Sequence, residues 1–190
     1  MQSRDGILVD ATPVVRSFLA ADGLDSIDET RSVREVTRRI RASVAALEGI
    51  DLDQLLERVQ DAARRQRFAS LRWRFRAIRL DSIGAWPGMG GLPLTWTAGP
   101  ITDTARLVEE RGCPTNAARL RQLVAWRRRA PAAALAFCEA LPLIAVREGI
   151  LNETLREKVT YCLDDGSHRA LILALAGVDV VRTYVGQRAS

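Results

Sequence analysis

Residues 64–80 read "RRQRFASLRWRFRAIRL", a stretch with seven arginines and no acidic residue. Within it, Leu71, Arg72, Trp73, Arg74, Phe75 and Arg76 alternate strictly between apolar and basic. A period of two belongs to an extended chain, whose successive side chains leave opposite faces of a sheet. The pattern predicts a strand over 69–80, with Leu71, Trp73, Phe75 and Ala77 on the core face and the arginines on the other. That strand separates an all-helical chain from an α+β one, because most of the remaining sequence carries helical spacing.

Upstream, Thr12-Pro13 open a short helix over 13–21 that Gly23 ends. Val33, Val36, Ile40, Val44 and Leu47 repeat at helical spacing within 29–48, and Gly49 stops that helix. Asp51 caps a third helix with Leu52, Leu55, Leu56 and Val59 as its apolar face. Its far end runs into Arg64, Arg65 and Arg67, cations that suit a helix C-terminus.

Downstream, "DSIGAWPGMGGLPLTWTAGP" over 81–100 holds five glycines and three prolines. It reads as a loop, with a short second strand at 92–97 that could close a hairpin. Thr102 or Asp103 then caps a helix ending at Gly112. Thr115 caps the next, through Leu120, Leu123, Val124 and Trp126 to Arg127-Arg128-Arg129. Pro131 opens another helix, which Pro142 either kinks or replaces with a new one. Asn152 caps a helix over 153–163, Ser167 caps one to Ala176, and "VDVVRTYV" at 178–185 is β-prone.

The expected fold is a single α+β domain, mostly α-helical. It has about seven or eight helices and a small β-hairpin or sheet around residues 69–97. Its parts are an acidic helical segment 1–66, a basic strand–loop–helix segment 67–129 and a helical segment 130–190. A chain of 190 residues can bury a core without disulfides or metal. Cys113, Cys138 and Cys162 are widely spaced and suit neither a disulfide framework nor a zinc site, so they read as core residues in a reducing compartment. No apolar run approaches the about eighteen residues of a membrane span, and "MQSRDGILVD" lacks the layout of a signal peptide. The expectation is a cytoplasmic protein, with no membrane partner, no metal and no cofactor.

Charge is distributed unevenly. Residues 1–60 carry a net −3, residues 61–129 a net +9 and residues 130–190 a net −1, within an overall +5. A localised positive segment attracts polyanions. Arg72, Arg74, Arg76 and Arg79 are therefore candidate contacts for a phosphate backbone, since a guanidinium meets phosphate oxygens bidentately. Arg121, Arg127, Arg128 and Arg129, with Arg119, would extend that surface. Two other readings compete. The strip reads equally as a solvated edge that blocks strand addition, or as a partner for acids of the first helices, among them Asp28, Glu29, Glu35 and Asp51.

"GMGG" at 88–91 lacks both the Lys-Ser/Thr of a P-loop and dinucleotide-fold spacing, and reads as a tolerant loop. Trp86 and Trp96 could stack on bases or fold the loop onto the core. His168, the one histidine, reads as a surface residue near a helix start. With no nucleophile–base pair and no carboxylate dyad, an enzyme is not expected.

The order "LRWRFRAIRL", a loop ending "LPLTW", "ITDTARLVEERG" and "AARLRQLVAWRRRAPAAALAFCEALPLI" resembles the N-terminal domain of the nuclease subunit of the Wadjet plasmid-defence complexes. The likeness spans roughly residues 68–145. "GVD" at 177–179 is similar to a motif near that domain's end, although Val180-Val181-Arg182 stands where the family continues with Lys-Phe. The resemblance implies a subunit working beside a condensin-like motor, here without the family's Toprim nuclease residues. The functional expectation is a bacterial, phage or plasmid-borne accessory protein that binds nucleic acid through its backbone. The alternative is a helical interaction module that self-associates or binds an acidic protein surface.

Overall fold

The computed structural model describes residues 6–24, 27–147 and 159–189. Strand β1 (Ile7–Val9) leads into helices α1 (Thr12–Asp22), α2 (Val33–Ala45), α3 (Leu52–Glu57) and α4 (Ala62–Ser70). Strands β2 (Arg72–Arg79) and β3 (Ile83–Gly84) follow, then helices α5 (Ile101–Arg111), α6 (Ala118–Arg129) and α7 (Pro131–Ala140). Strands β4 (Leu143–Arg147) and β5 (Tyr161–Asp165), helix α8 (Ser167–Leu175) and strand β6 (Val180–Gln187) complete the described elements. The fold is α+β and mostly α-helical.

All six strands join one mixed sheet in the order β1-β2-β6-β4-β5-β3. β2 lies antiparallel to both β1 and β6, β6 runs parallel to β4, β4 antiparallel to β5, and β5 parallel to β3. The sheet is thus not confined to 69–97. No hairpin partner forms at 92–97, where Leu94–Trp96 make a 3-10 turn. β2 instead pairs along its whole length with β6, about a hundred residues away.

Of the strands that sequence reading missed, β1 is short and exposed and β3 is two residues long, whereas β4 and β5 share one property. Leu143, Ile144, Ala145 and Val146 of β4 are all buried, as are Tyr161, Cys162, Leu163 and Asp164 of β5. A strand covered on both faces reads as an unbroken apolar run and loses the alternation that identifies an exposed one. Pro142 therefore introduces a strand rather than a kink or a new helix. The helix expected over 153–163 is corrected likewise: residues 161–163 belong to β5, and 152–158 lie outside the described residues. Among the described residues, segment 130–190 holds two helices, α7 and α8, and three strands, so it is not the helical segment expected.

In the N-terminal part the cap expected at Asp51 forms, whereas α1 begins at Thr12 with no side-chain cap. Ser32 accepts from the Glu35 N–H, and Asp51 from the Gln54 N–H at 2.9 Å. The expected third helix is two, because Asp61 caps a fresh start by accepting from the Arg64 N–H at 3.0 Å. α4 buries Phe68, whose ring lies edge-on between Phe18 (5.5 Å between centroids) and Trp73 (5.8 Å). The Trp73 indole N–H donates to the Phe68 carbonyl at 3.1 Å, so this buried tryptophan leaves no polar atom unpaired. Burying each such ring is worth about 1.5–3 kcal/mol. The core joins residues of every helix to the sheet. Among the described residues, no helix is long and apolar enough to cross a membrane.

Candidate functional site

The alternation of β2 is real, but its two faces are not core and solvent. Trp73 is buried and Phe75 half-buried against Tyr184, while Ala77 on that same face is exposed. On the opposite face, Arg72, Arg74, Arg76 and Ile78 pair in register with Gln187, Val185, Thr183 and Val181 of β6. Thr183, Val181 and Val185 are buried, and so is Ile78. Arg74 and Arg76 are accordingly half-buried, with Arg74 donating to the Gly6 carbonyl at 3.4 Å. The Arg76 Nε and the Thr183 hydroxyl beside it are buried without hydrogen-bond partners. Arg72 is exposed. Arg79 has odd parity, so it leaves the arginine face, and it pairs with exposed Asp81 at 2.5 Å.

The second expected cluster also divides. At 100° per residue, three successive helical side chains point three ways. Arg127 donates to the Leu175 carbonyl at the end of α8. Arg129 reaches the Asp28 carbonyl at 3.4 Å, and Arg119 the Asp28 carboxylate at 2.7 Å. Arg121 and Arg128 stay exposed near Cys113, whose thiol burial pushes upward against the opposing pull of both cations. α6 packs on α7 and α8, whereas β2 packs on β1 and β6, so the two clusters belong to different parts of the molecule. Asp28, one of the acids expected to face the strip, meets Arg119 and Arg129 instead.

The structure builds another arginine site that sequence reading passed over. Arg64 and Arg67 of α4 converge on Asp164, 100 and 97 residues away. Arg64 donates from Nε to Oδ1 at 3.0 Å and from Nη2 to the Asp164 carbonyl at 2.7 Å. Arg67 donates from Nε to Oδ2 at 3.0 Å and from Nη2 to Oδ1 at 2.8 Å. The Asp164 side chain is fully buried, while the two arginine side chains keep 26% and 20% of their surface. Asp165 next to it holds buried Arg169 at 2.9 Å.

These groups line a cleft of about 730 Å³ between α4, α6 and the start of α8, with Trp86 on its wall and 46% exposed. β5 enters α8 through Gly166, at φ 89°, where an added Cβ would lie 2.7 Å from the Leu143 side chain. α8 starts without a side-chain cap.

His168, expected on the surface, is largely buried in this region. Burial lowers its pKa below the usual 6.5, Arg119 lowers it further and Asp165 opposes. Its Nε2 is buried without a partner, packed under the glycine loop. A Cβ on Gly90 would stand 2.4 Å from that nitrogen, and Gly90 has φ 58°. "GMGG" is therefore a close-packed seat on His168, not a tolerant loop.

Compared with known proteins, the chain matches no family model, no curated protein and no solved structure.

Proposed function

We propose that this protein binds nucleic acid through its phosphate backbone, without sequence preference and without chemistry of its own. The reading is carried by Arg72, Arg121 and Arg128, which are exposed with no carboxylate partner among the described residues, in a segment of net +9. Unpaired exposed guanidinium groups are what a polyanion needs. The likeness to the Wadjet subunit's N-terminal domain supports a place within a larger bacterial, phage or plasmid-borne assembly, in the cytoplasm.

Two phosphate contacts, from Arg121 and Arg128, would give a log–log salt slope of about −1.8 on duplex DNA, or a loss of about twelvefold in affinity between 50 and 200 mM salt, and one from Arg72 a slope of about −0.9. Fluorescence anisotropy with a short duplex and a single strand of mixed sequence measures this. Arg76 is a poor probe, since a carboxylate there would be half-buried. Arg72→Glu and the pair Arg121→Glu/Arg128→Glu touch exposed positions and separate the two surfaces. A tenfold or larger loss in either variant supports the reading and says which surface binds. Wild-type affinity in both, or no binding at 50 mM salt, would overturn it.

One observation favours the alternative, an interaction module. β1 is an edge strand whose Ile7 and Leu8 are 68% and 56% exposed, one on each face of the sheet. An edge of that kind can accept another strand. A dimer that persists in high salt, seen by light scattering after size exclusion with no nucleic acid co-purifying, would support this second reading.

A further inference from the structure

The cleft at the start of α8 combines four features that strand β2 lacks. Its volume of about 730 Å³ lies within the range of small-molecule sites. Its two inward arginines are held from behind. Asp164 takes the Nε and Nη2 groups of Arg64 and Arg67, which leaves the Nη1 amine of each outside that pairing. Being fully buried, Asp164 cannot meet a ligand itself, so it orients two cations while adding no exposed negative charge. The first intrahelical donor of α8 is the Ala170 N–H, bonded to the Gly166 carbonyl at 2.8 Å. The N–H groups of Ser167, His168 and Arg169 precede it and lie at the positive end of the helix dipole. Trp86 supplies a half-exposed indole on the wall, a surface on which a base can stack.

We propose that this cleft binds a nucleoside monophosphate. The phosphate lies against Arg64, Arg67 and the first turn of α8, and the base against Trp86. A monophosphate is preferred to a polyphosphate because Asp22, Asp61 and Asp165 also line the cleft. Asp165 is engaged by Arg169, and Asp61 by its capping bond to Arg64, yet their charge opposes a longer anionic chain. The ligand is either a free nucleotide or the 5′-phosphate end of a strand. The second source rests on the nucleic-acid reading above, and the first does not.

The test is isothermal titration of the whole chain with AMP, GMP, CMP and UMP in turn, with inorganic phosphate and adenosine as controls. At least one nucleotide should bind at least tenfold more tightly than either control. Ser167→Asp places a carboxylate where the phosphate would sit, and an acid in the first turn suits the helix. It should weaken nucleotide binding tenfold or more with an unchanged thermal melt. Trp86→Ala should weaken the nucleotide while leaving phosphate binding as it was. No binding of any of the four at millimolar concentration would overturn the proposal. So would a nucleotide affinity indifferent to both substitutions.

Competition with 5′-phosphorylated and 5′-hydroxyl oligonucleotides identifies the source. Displacement of the nucleotide by the phosphorylated strand alone assigns the cleft to strand ends; displacement by neither assigns it to free nucleotide. Backbone binding that survives Ser167→Asp, with nucleotide binding absent from the wild type, would sink the cleft and spare the function proposed above. Nucleotide binding with no affinity for long strands would do the reverse.

Discussion

Arg64 and Arg67 lie in the same seventeen-residue stretch as Arg72, Arg74, Arg76 and Arg79, and the two sets meet different fates. The first pair closes on a carboxylate with no solvent exposure, reached across about a hundred residues of chain. The second set is spread over two faces of one strand, and its ion pair at Arg79 is a surface contact with a neighbour two residues on. The same side chain is a structural clamp in one place and, at Arg72 and Arg79, a solvated charge in the other. What differs is the location of the partner, and for the clamp that partner is distant in sequence.

The largest effect expected from this contrast is at Asp164. Asp164→Ala leaves two partly buried guanidinium groups without their carboxylate, and chemical denaturation should show a loss of about 3–5 kcal/mol. A loss under 1 kcal/mol would remove the distinction between the two sets. Next comes Gly90→Ala, which puts a side chain into left-handed backbone, at about 1–2 kcal/mol, and drives it into the His168 ring. The double variant Gly90→Ala/His168→Ala should recover the steric part and keep the backbone part. Failure to recover anything would show that His168 is not the obstacle.

The third effect is a pH dependence. Burial holds the folded-state pKa of His168 below 6.5, so the unfolded chain takes up the proton first. Stability is then fully present above about 6.5 and falls as pH drops from there toward the folded value. Thermal melts between pH 7.5 and 5 should decline, and His168→Gln should flatten that decline. An equal slope in both proteins would assign the effect elsewhere. The smallest effect is at the strip itself: Asp81→Ala frees an exposed Arg79 and should leave the melting temperature unchanged. A clear destabilisation there would mean that the strip, too, is a structural element.

Much of the fold was legible where the chain alternates or carries caps. Strand β2 showed because one residue in two is arginine, and α2, α3 and α7 showed through the apolar spacing from Val33 to Leu47, Asp51 and Pro131; the cap expected at Ser167 does not form, since α8 starts after Gly166 with no side-chain cap. β4 was hidden because both faces are covered, and β5 because Tyr161-Cys162-Leu163 has no period of its own. The cleft was less legible than the fold. Arg64 and Arg67 at helical spacing, and Asp164-Asp165-Gly166 before a helix, are ordinary patterns taken singly.

By itself, the sequence determined some local geometry and the gross charge: the alternation of β2, the helical spacing of α2, the cap at Asp51, the glycine stops at Gly23 and Gly112, and a positive middle third. These depend on interactions a few residues long, so a short window contains their cause. Only the tertiary structure decided which arginines are neutralised and which are free. It alone set Thr183 and Val185 behind the arginine face of β2, Asp28 beneath Arg119, and Asp164 between Arg64 and Arg67. A charge's energy depends on the distance to its partner and on burial, and both arise when segments a hundred residues apart pack together.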